Sequence, residues 1–209
     1  MTMKKLCLTL FIISMIALTG CKPRYNKAEQ LDLAILEYDV KSVQYILDHG
    51  ADPNTVKKEY FDLPIHNAIT VFSVSNTEGR TKKAEEISKL LIKYGADINK
   101  RDAIFGSTML HGAQNLKTVR LLVELGADVN ATDSKFGNTP LHAWIIIYKK
   151  DLEMFQYLLE HGADVNKKNN SGKTVIDYIN DKKLKYSKYE KLREIYHLLH
   201  LYKFKNAQL

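Results

Sequence analysis

Four pentapeptides nearly coincide along the chain: Gly-Ala-Asp-Pro-Asn at Gly50–Asn54, Gly-Ala-Asp-Ile-Asn at Gly95–Asn99, and Gly-Ala-Asp-Val-Asn at both Gly126–Asn130 and Gly162–Asn166. Their recurrence at intervals of 45, 31 and 36 residues marks a repeat architecture with insertions, in which each unit buries its apolar face by stacking on the next. Each pentapeptide follows an apolar pattern of helical period: SVQYILDH, ISKLLIKY, TVRLLVEL and EMFQYLLEH. Ile46 and Leu47, Leu91 and Ile92, Leu122 and Val123, and Leu158 and Leu159 stand four and three residues before the glycine. The glycine predicts the helix end, because it takes the left-handed conformation past a C-terminus without a Cβ clash. The Asp and Asn that follow predict a turn.

A second element lies 16 residues after each of the first three glycines: LPIHNA at Leu63–Ala68, TMLHGA at Thr108–Ala113 and TPLHAW at Thr139–Trp144. These segments resemble the T-P-L-H-x-A signature of the ankyrin repeat, a unit of about 33 residues. The resemblance implies an all-α solenoid of about five helix-turn-helix repeats, carrying β-turn or hairpin fingers between successive units. It assigns an ankyrin domain to residues 28–205, divided near 28–58, 59–102, 103–134, 135–169 and 170–205. Thr139 is placed to cap a first helix with Pro140 at N1, where its missing donor costs nothing. The resemblance also implies that His66, His111 and His142 bond the backbone of neighbouring fingers.

The departures from regular spacing carry information. Glycine to histidine is constant at 16 residues, whereas histidine to the next glycine is 29, 15 and 20, against about 18 in the family pattern. The long interval contains FSVSNTEGRTKK, Phe72–Lys83, which reads as a polar, glycine-containing insertion between the two helices of the second repeat. The ends read as atypical caps: Asp32 takes the histidine place in the first repeat, and SGKTVIDYI leads to YEKLREIYHLLHLYKF without a final Gly-Ala-Asp.

The N-terminus has a different character. Lys4 and Lys5 precede an apolar run, Leu6–Leu18, in the layout of a secretory signal; a spanning helix needs about 20 apolar residues. Leu18-Thr19-Gly20-Cys21 is similar to the lipobox of bacterial lipoproteins, which implies removal of residues 1–20, acylation of Cys21 and a short tether over 21–27. Multiple acylation would hold the chain at a membrane, since each buried CH₂ contributes about 0.8 kcal/mol. By resemblance to enterobacterial sorting, Lys22 after the cysteine points to the inner leaflet of the outer membrane, facing the periplasm. Cys7 would leave with the signal, so no internal disulfide is expected and packing must supply stability.

The net charge of +7 is concentrated late: eleven Lys or Arg against four Asp or Glu lie between Lys167 and Leu209. That surplus is either a solvated cap or a contact for anionic lipid or an acidic partner; no nucleic-acid recognition motif accompanies it. Seven histidines invite a search for a metal site or an active centre. Five belong to repeat positions, including His49 and His161 before capping glycines, and His197 and His200 lack further ligands at metal-site spacing. No catalytic residues, metal ligands, cofactor or small-molecule substrate are therefore expected. Protein binding is the function the family resemblance implies. EYFDLP, DAIFGS and DSKFGN place Tyr60, Phe61, Ile104, Phe105 and Phe136 at the expected finger tips, as interface anchors or as packing between fingers. Trp144, standing where the family prefers alanine, either widens the helix spacing or joins these residues as a groove contact. The expectation is a lipid-anchored envelope protein that binds a toxin, effector or periplasmic enzyme, as an immunity protein would, with an envelope scaffold and an envelope enzyme or metal protein as alternatives.

Overall fold

A computed structural model describes residues 25–55, 63–147, 152–180, 194–195 and 197–201. Among these residues the regular structure is helical. It comprises α1 (Lys27–Leu36), α2 (Val40–Asp48), α3 (Pro64–Val74), α4 (Glu78–Lys93), a 3-10 turn (Met109–Gly112), α5 (Leu116–Glu124), α6 (Pro140–Ile147), α7 (Leu152–Glu160) and α8 (Val175–Asn180). Residues 194–195 and 197–201 are also helical. None of the described helices is long and apolar enough to cross a membrane.

Local chemistry sets the helix starts. Asn26 accepts the Glu29 N–H at 2.9 Å while the Glu29 carboxylate accepts the Asn26 N–H at 2.9 Å, a reciprocal cap on α1. Asp39 and Asn115 cap α2 and α5 by accepting the N–H of Ser42 at 3.2 Å and of Thr118 at 2.8 Å. The four repeat glycines end α2, α4, α5 and α7 at φ between +81° and +91°. In each, the glycine and the following alanine donate back to carbonyls three and five residues earlier, as Gly126 does to Val123 at 3.0 Å and Ala127 to Leu122 at 2.9 Å. Tyr38 performs the same turn between α1 and α2 at φ +58°.

The hairpins stack into a solenoid. First helices lie on first helices, α1 on α3 and α6 on α8, and second helices on second helices, α2 on α4 and α5 on α7. Ile46, Leu91, Leu122 and Leu158, the residues four before each glycine, are all buried in one continuous core. That core continues through Val175 and Ile179 to Ile195 and Leu199 of the final helical segment.

Two irregular spacings acquire a physical form. The polar insertion expected between the second repeat's helices is mostly helix: Phe72–Val74 close α3, Glu78–Lys83 open α4, and Ser75–Thr77 remain as the link. The sequence suggested a loop because it is polar and holds Gly79; both suit the exposed first turns of a long helix. α4 has 16 residues where α2, α5 and α7 each have nine, an extension of about 10 Å. The third repeat is short instead, and its first helix shrinks to the 3-10 turn Met109–Gly112. α5 consequently packs directly on α3. Lys117 of α5 reaches the end of α3, donating to the Phe72 carbonyl at 2.9 Å with its ammonium 4.3 Å from the Phe72 ring centroid, a cation at a helix C-terminus.

Candidate functional site

Three described fingers, the third to the fifth, are built around one acceptor side chain each. In the third, the Asp102 carboxylate accepts the N–H groups of Ile104 at 2.8 Å, Phe105 at 2.7 Å and Ser107 at 2.8 Å. Burial works against its ionisation, but these backbone donors outweigh burial and hold its pKa below the usual carboxylate value. Asp133 repeats the arrangement with Phe136 at 2.5 Å and Asn138 at 3.2 Å, and Asn169 repeats it with Ser171 at 3.0 Å and Lys173 at 3.1 Å.

Neighbouring fingers are joined main chain to main chain. The Phe105 carbonyl accepts from Ser134 N at 2.9 Å and Lys135 N at 3.2 Å, and the Phe136 carbonyl from Asn170 N at 2.9 Å. So close an approach requires glycine at Gly106 and Gly137, with φ of +64° and +67°. A Cβ on Gly106 would lie 2.2 Å from Ser134 Oγ, and one on Gly137 would lie 2.3 Å from Asn170 Oδ1 and 2.9 Å from Asn170 N. Arg101 adds a staple by donating to the carbonyls of Gly106 and Thr132.

Buried histidines tie the fingers to the helices. His111 Nδ1 accepts the Thr108 N–H at 3.2 Å, which leaves Nε2 to donate to the Asn138 carbonyl at 2.9 Å. His142 does the same with Thr139 N at 3.3 Å and the Lys173 carbonyl at 3.1 Å. Burial pushes the pKa of both below that of an ordinary histidine, although the carbonyl bonds oppose it. The neutral imidazole is therefore a structural strut, as the repeat resemblance implied. His49 and His161 instead turn Nδ1 back to the carbonyls of Tyr45 at 2.7 Å and Tyr157 at 2.8 Å, and each ring lies 3.9 Å from that tyrosine's ring. Among the described residues no group of three or more His, Cys, Asp or Glu is arranged to hold a metal ion.

The tip residues fall into three sets. Ile104, Phe105 and Phe136 are exposed, at 79%, 43% and 49%. Phe105 and Phe136 also stack on one another, with centroids 6.4 Å apart and planes 24° apart. Inter-finger packing and an accessible apolar surface thus coexist in one pair of rings. Trp144 is different: it is 3% exposed and belongs to the core, so the structure corrects its placement among the groove contacts. On α6, which packs against the short 3-10 turn where a full helix would otherwise stand, the indole is enclosed. Tyr60 and Phe61, like Cys21, lie outside the described residues.

Beside the two exposed rings is a pocket of about 450 Å³, lined by Phe105, Phe136, Thr108, His111, Gly112 and Ala143 among others. It opens where the third repeat's first helix is reduced to a single turn. Sequence reasoning did not find this pocket, although the 15-residue interval from His111 to Gly126 was its signal. It also missed the role of the last residue in the first three pentapeptides. Asn54 donates to the Gly95 carbonyl at 2.8 Å and accepts from Asp97 N at 2.9 Å. Asn99 makes the same pair with Gly126 at 3.2 Å and Asp128 at 2.8 Å, and Asn130 with Gly162 and Asp164, both at 2.8 Å. The pentapeptide is a rung of a ladder between repeats as well as a turn.

A family model described as ankyrin repeats (3 copies) matches residues 31–133 and 113–179, more than half of the chain. No curated protein matches it.

Proposed function

The chain belongs to the ankyrin-repeat family, whose stacked hairpins are a protein–protein interaction module, and we propose that it is a lipid-tethered envelope protein that binds and neutralises a secreted toxin, effector or periplasmic enzyme without chemistry of its own. The observation that carries the binding reading is the Phe105–Phe136 pair, whose rings remain exposed beside a pocket although they stack on one another. Leaving apolar rings at a surface turn is unfavourable for solubility unless a partner covers them. The lipobox-like Leu18–Cys21 and the apolar run before it support the tether. Small size, fixation at a membrane and the concave helix face by which ankyrin-like solenoids bind proteins suit an inhibitor.

Two measurements test the proposal. Growth with labelled palmitate should mark the wild-type chain and leave Cys21→Ser unmarked; equal labelling of both would remove the tether. Affinity purification from the native envelope should recover one partner in stoichiometric amount, and deleting the chain should harm cells only when that partner is present. Several resident proteins in place of one would favour a scaffold.

A further inference from the structure

We propose that the pocket between the third and fourth fingers, together with the cations around it, receives an acidic protein segment that inserts one large apolar side chain. The inference rests on the protein-binding reading and narrows it to the chemistry of the partner.

The pocket asks for an apolar group. Three of its polar neighbours are already engaged: the carboxylates of Asp102 and Asp133 accept backbone N–H groups of their own turns, and His111 uses both ring nitrogens, on Thr108 and on Asn138. What remains open to an incoming group is ring and alkyl surface from Phe105, Phe136 and Ala143 with the exposed backbone of Gly112. A volume of about 450 Å³ lies toward the lower end of the range for small ligand sites, about 300–1,000 Å³, which suits a single large side chain. Interface anchors fill such recesses.

The rim asks for negative charge. Finger segments 100–107, 132–138 and 167–173 carry six cations, Lys100, Arg101, Lys135, Lys167, Lys168 and Lys173, against two carboxylates, Asp102 and Asp133, so positive charge predominates there. Lys135 Nζ sits 4.7 Å from the Phe105 ring centroid and 5.1 Å from that of Phe136. It therefore holds a positive charge at the lip of the apolar recess, where it faces a carboxylate next to an inserted side chain. Lys100 on the third finger and Lys168 on the fifth are exposed and add to the positive field of the finger row, which draws in an acidic chain. A recess shaped for a single side chain favours a polypeptide over a lipid headgroup layer.

The test uses the full chain in non-ionic detergent and three labelled peptides in a Gly-Ser frame, followed by fluorescence anisotropy. One carries a single Trp between glutamates, the second replaces the glutamates by lysines, and the third replaces the Trp by Gly. The Glu-Trp peptide is expected to bind about tenfold or more tightly than either relative, and to weaken as salt is raised. Lys135→Glu and the double variant Phe105→Ser/Phe136→Ser should each reduce that binding about tenfold, with thermal melts showing that both variants stay folded. Failure of the Glu-Trp peptide to bind, or equal binding of the lysine peptide, overturns the proposal. A partner recovered from the envelope that binds the double variant as well as the wild type would keep the protein-binding reading and discard this pocket. Vesicles of phosphatidylglycerol form the last arm: binding to them that requires Lys135 and both rings, with none to the peptide, assigns the surface to lipid and also overturns it.

Discussion

Replacing Gly137 by alanine separates backbone strain from inter-finger collision. Gly137 and Gly172 each stand just before the residue that closes the finger turn, Asn138 and Lys173, with φ of +67° and +72°, so an alanine at either bears about 1 kcal/mol of left-handed strain. They differ in surroundings: a Cβ on Gly172 meets nothing within 4 Å, whereas one on Gly137 meets Asn170 Oδ1 at 2.3 Å, Cγ at 2.8 Å and the main-chain N at 2.9 Å. The amide side chain could swing aside, but the main-chain nitrogen is held by its own bond to the Phe136 carbonyl at 2.9 Å. Relief therefore requires the fourth and fifth fingers to part and lose that bond, a further cost of about 1–2 kcal/mol. Gly137→Ala should destabilise the chain by about 2–3 kcal/mol and Gly172→Ala by about 1 kcal/mol. Urea unfolding followed by far-ultraviolet circular dichroism reads both. Equal losses would show that the fingers yield freely and that the close approach contributes nothing.

Asn99→Ala removes both rung bonds between the second and third pentapeptides and should cost about 1–2 kcal/mol; a broadened or split urea transition would show that the repeats on either side have lost coupling. Trp144→Ala should cost about 3–5 kcal/mol as a buried aromatic truncation, and a stable variant would contradict its enclosure in the core. For pH, the lowered pKa of His111 and His142 means that the unfolded chain takes up protons below about pH 6.5 while the folded one resists. Their contribution is then complete above that pH and is lost as pH falls toward the folded-state values, so the melting temperature should drop between pH 7 and pH 5. His142→Gln should flatten that slope, and a melting temperature that rises on acidification would refute the neutral-strut assignment.

The helix ends were legible because they follow from local chemistry, and the bonds of His111 and His142 to the next finger were legible through the family resemblance. Glycine closing a helix and aspartate turning a loop need only near neighbours, and the buried residues four before each glycine follow from helical period. Trp144 and the Phe72–Lys83 segment were less legible for the opposite reason. The fate of an indole on an apolar helix depends on how much of the preceding repeat is present. A polar run with one glycine is consistent with a loop or with the exposed start of a long helix until its packing partner is known.

The irregular spacing has one physical explanation. Glycine to histidine holds at 16 residues because cross-repeat bonds pin both ends of the stretch: the Asn54, Asn99 and Asn130 rungs at one side, and the bonds from His111 to Asn138 and His142 to Lys173 at the other. A residue added or removed there would shift one end off its partner. Between histidine and the next glycine the chain turns from first helix to second, and the hydrogen bonds of a helix are internal. Length can change there by adding turns, as in α4, or by deleting them, as in the 3-10 turn Met109–Gly112. Deleting turns has a consequence that adding them lacks: it opens the wall behind two fingers whose bonds hold their geometry. The apolar pocket lies in the repeat with the shortest interval because a rigid finger row spans a shortened helix there.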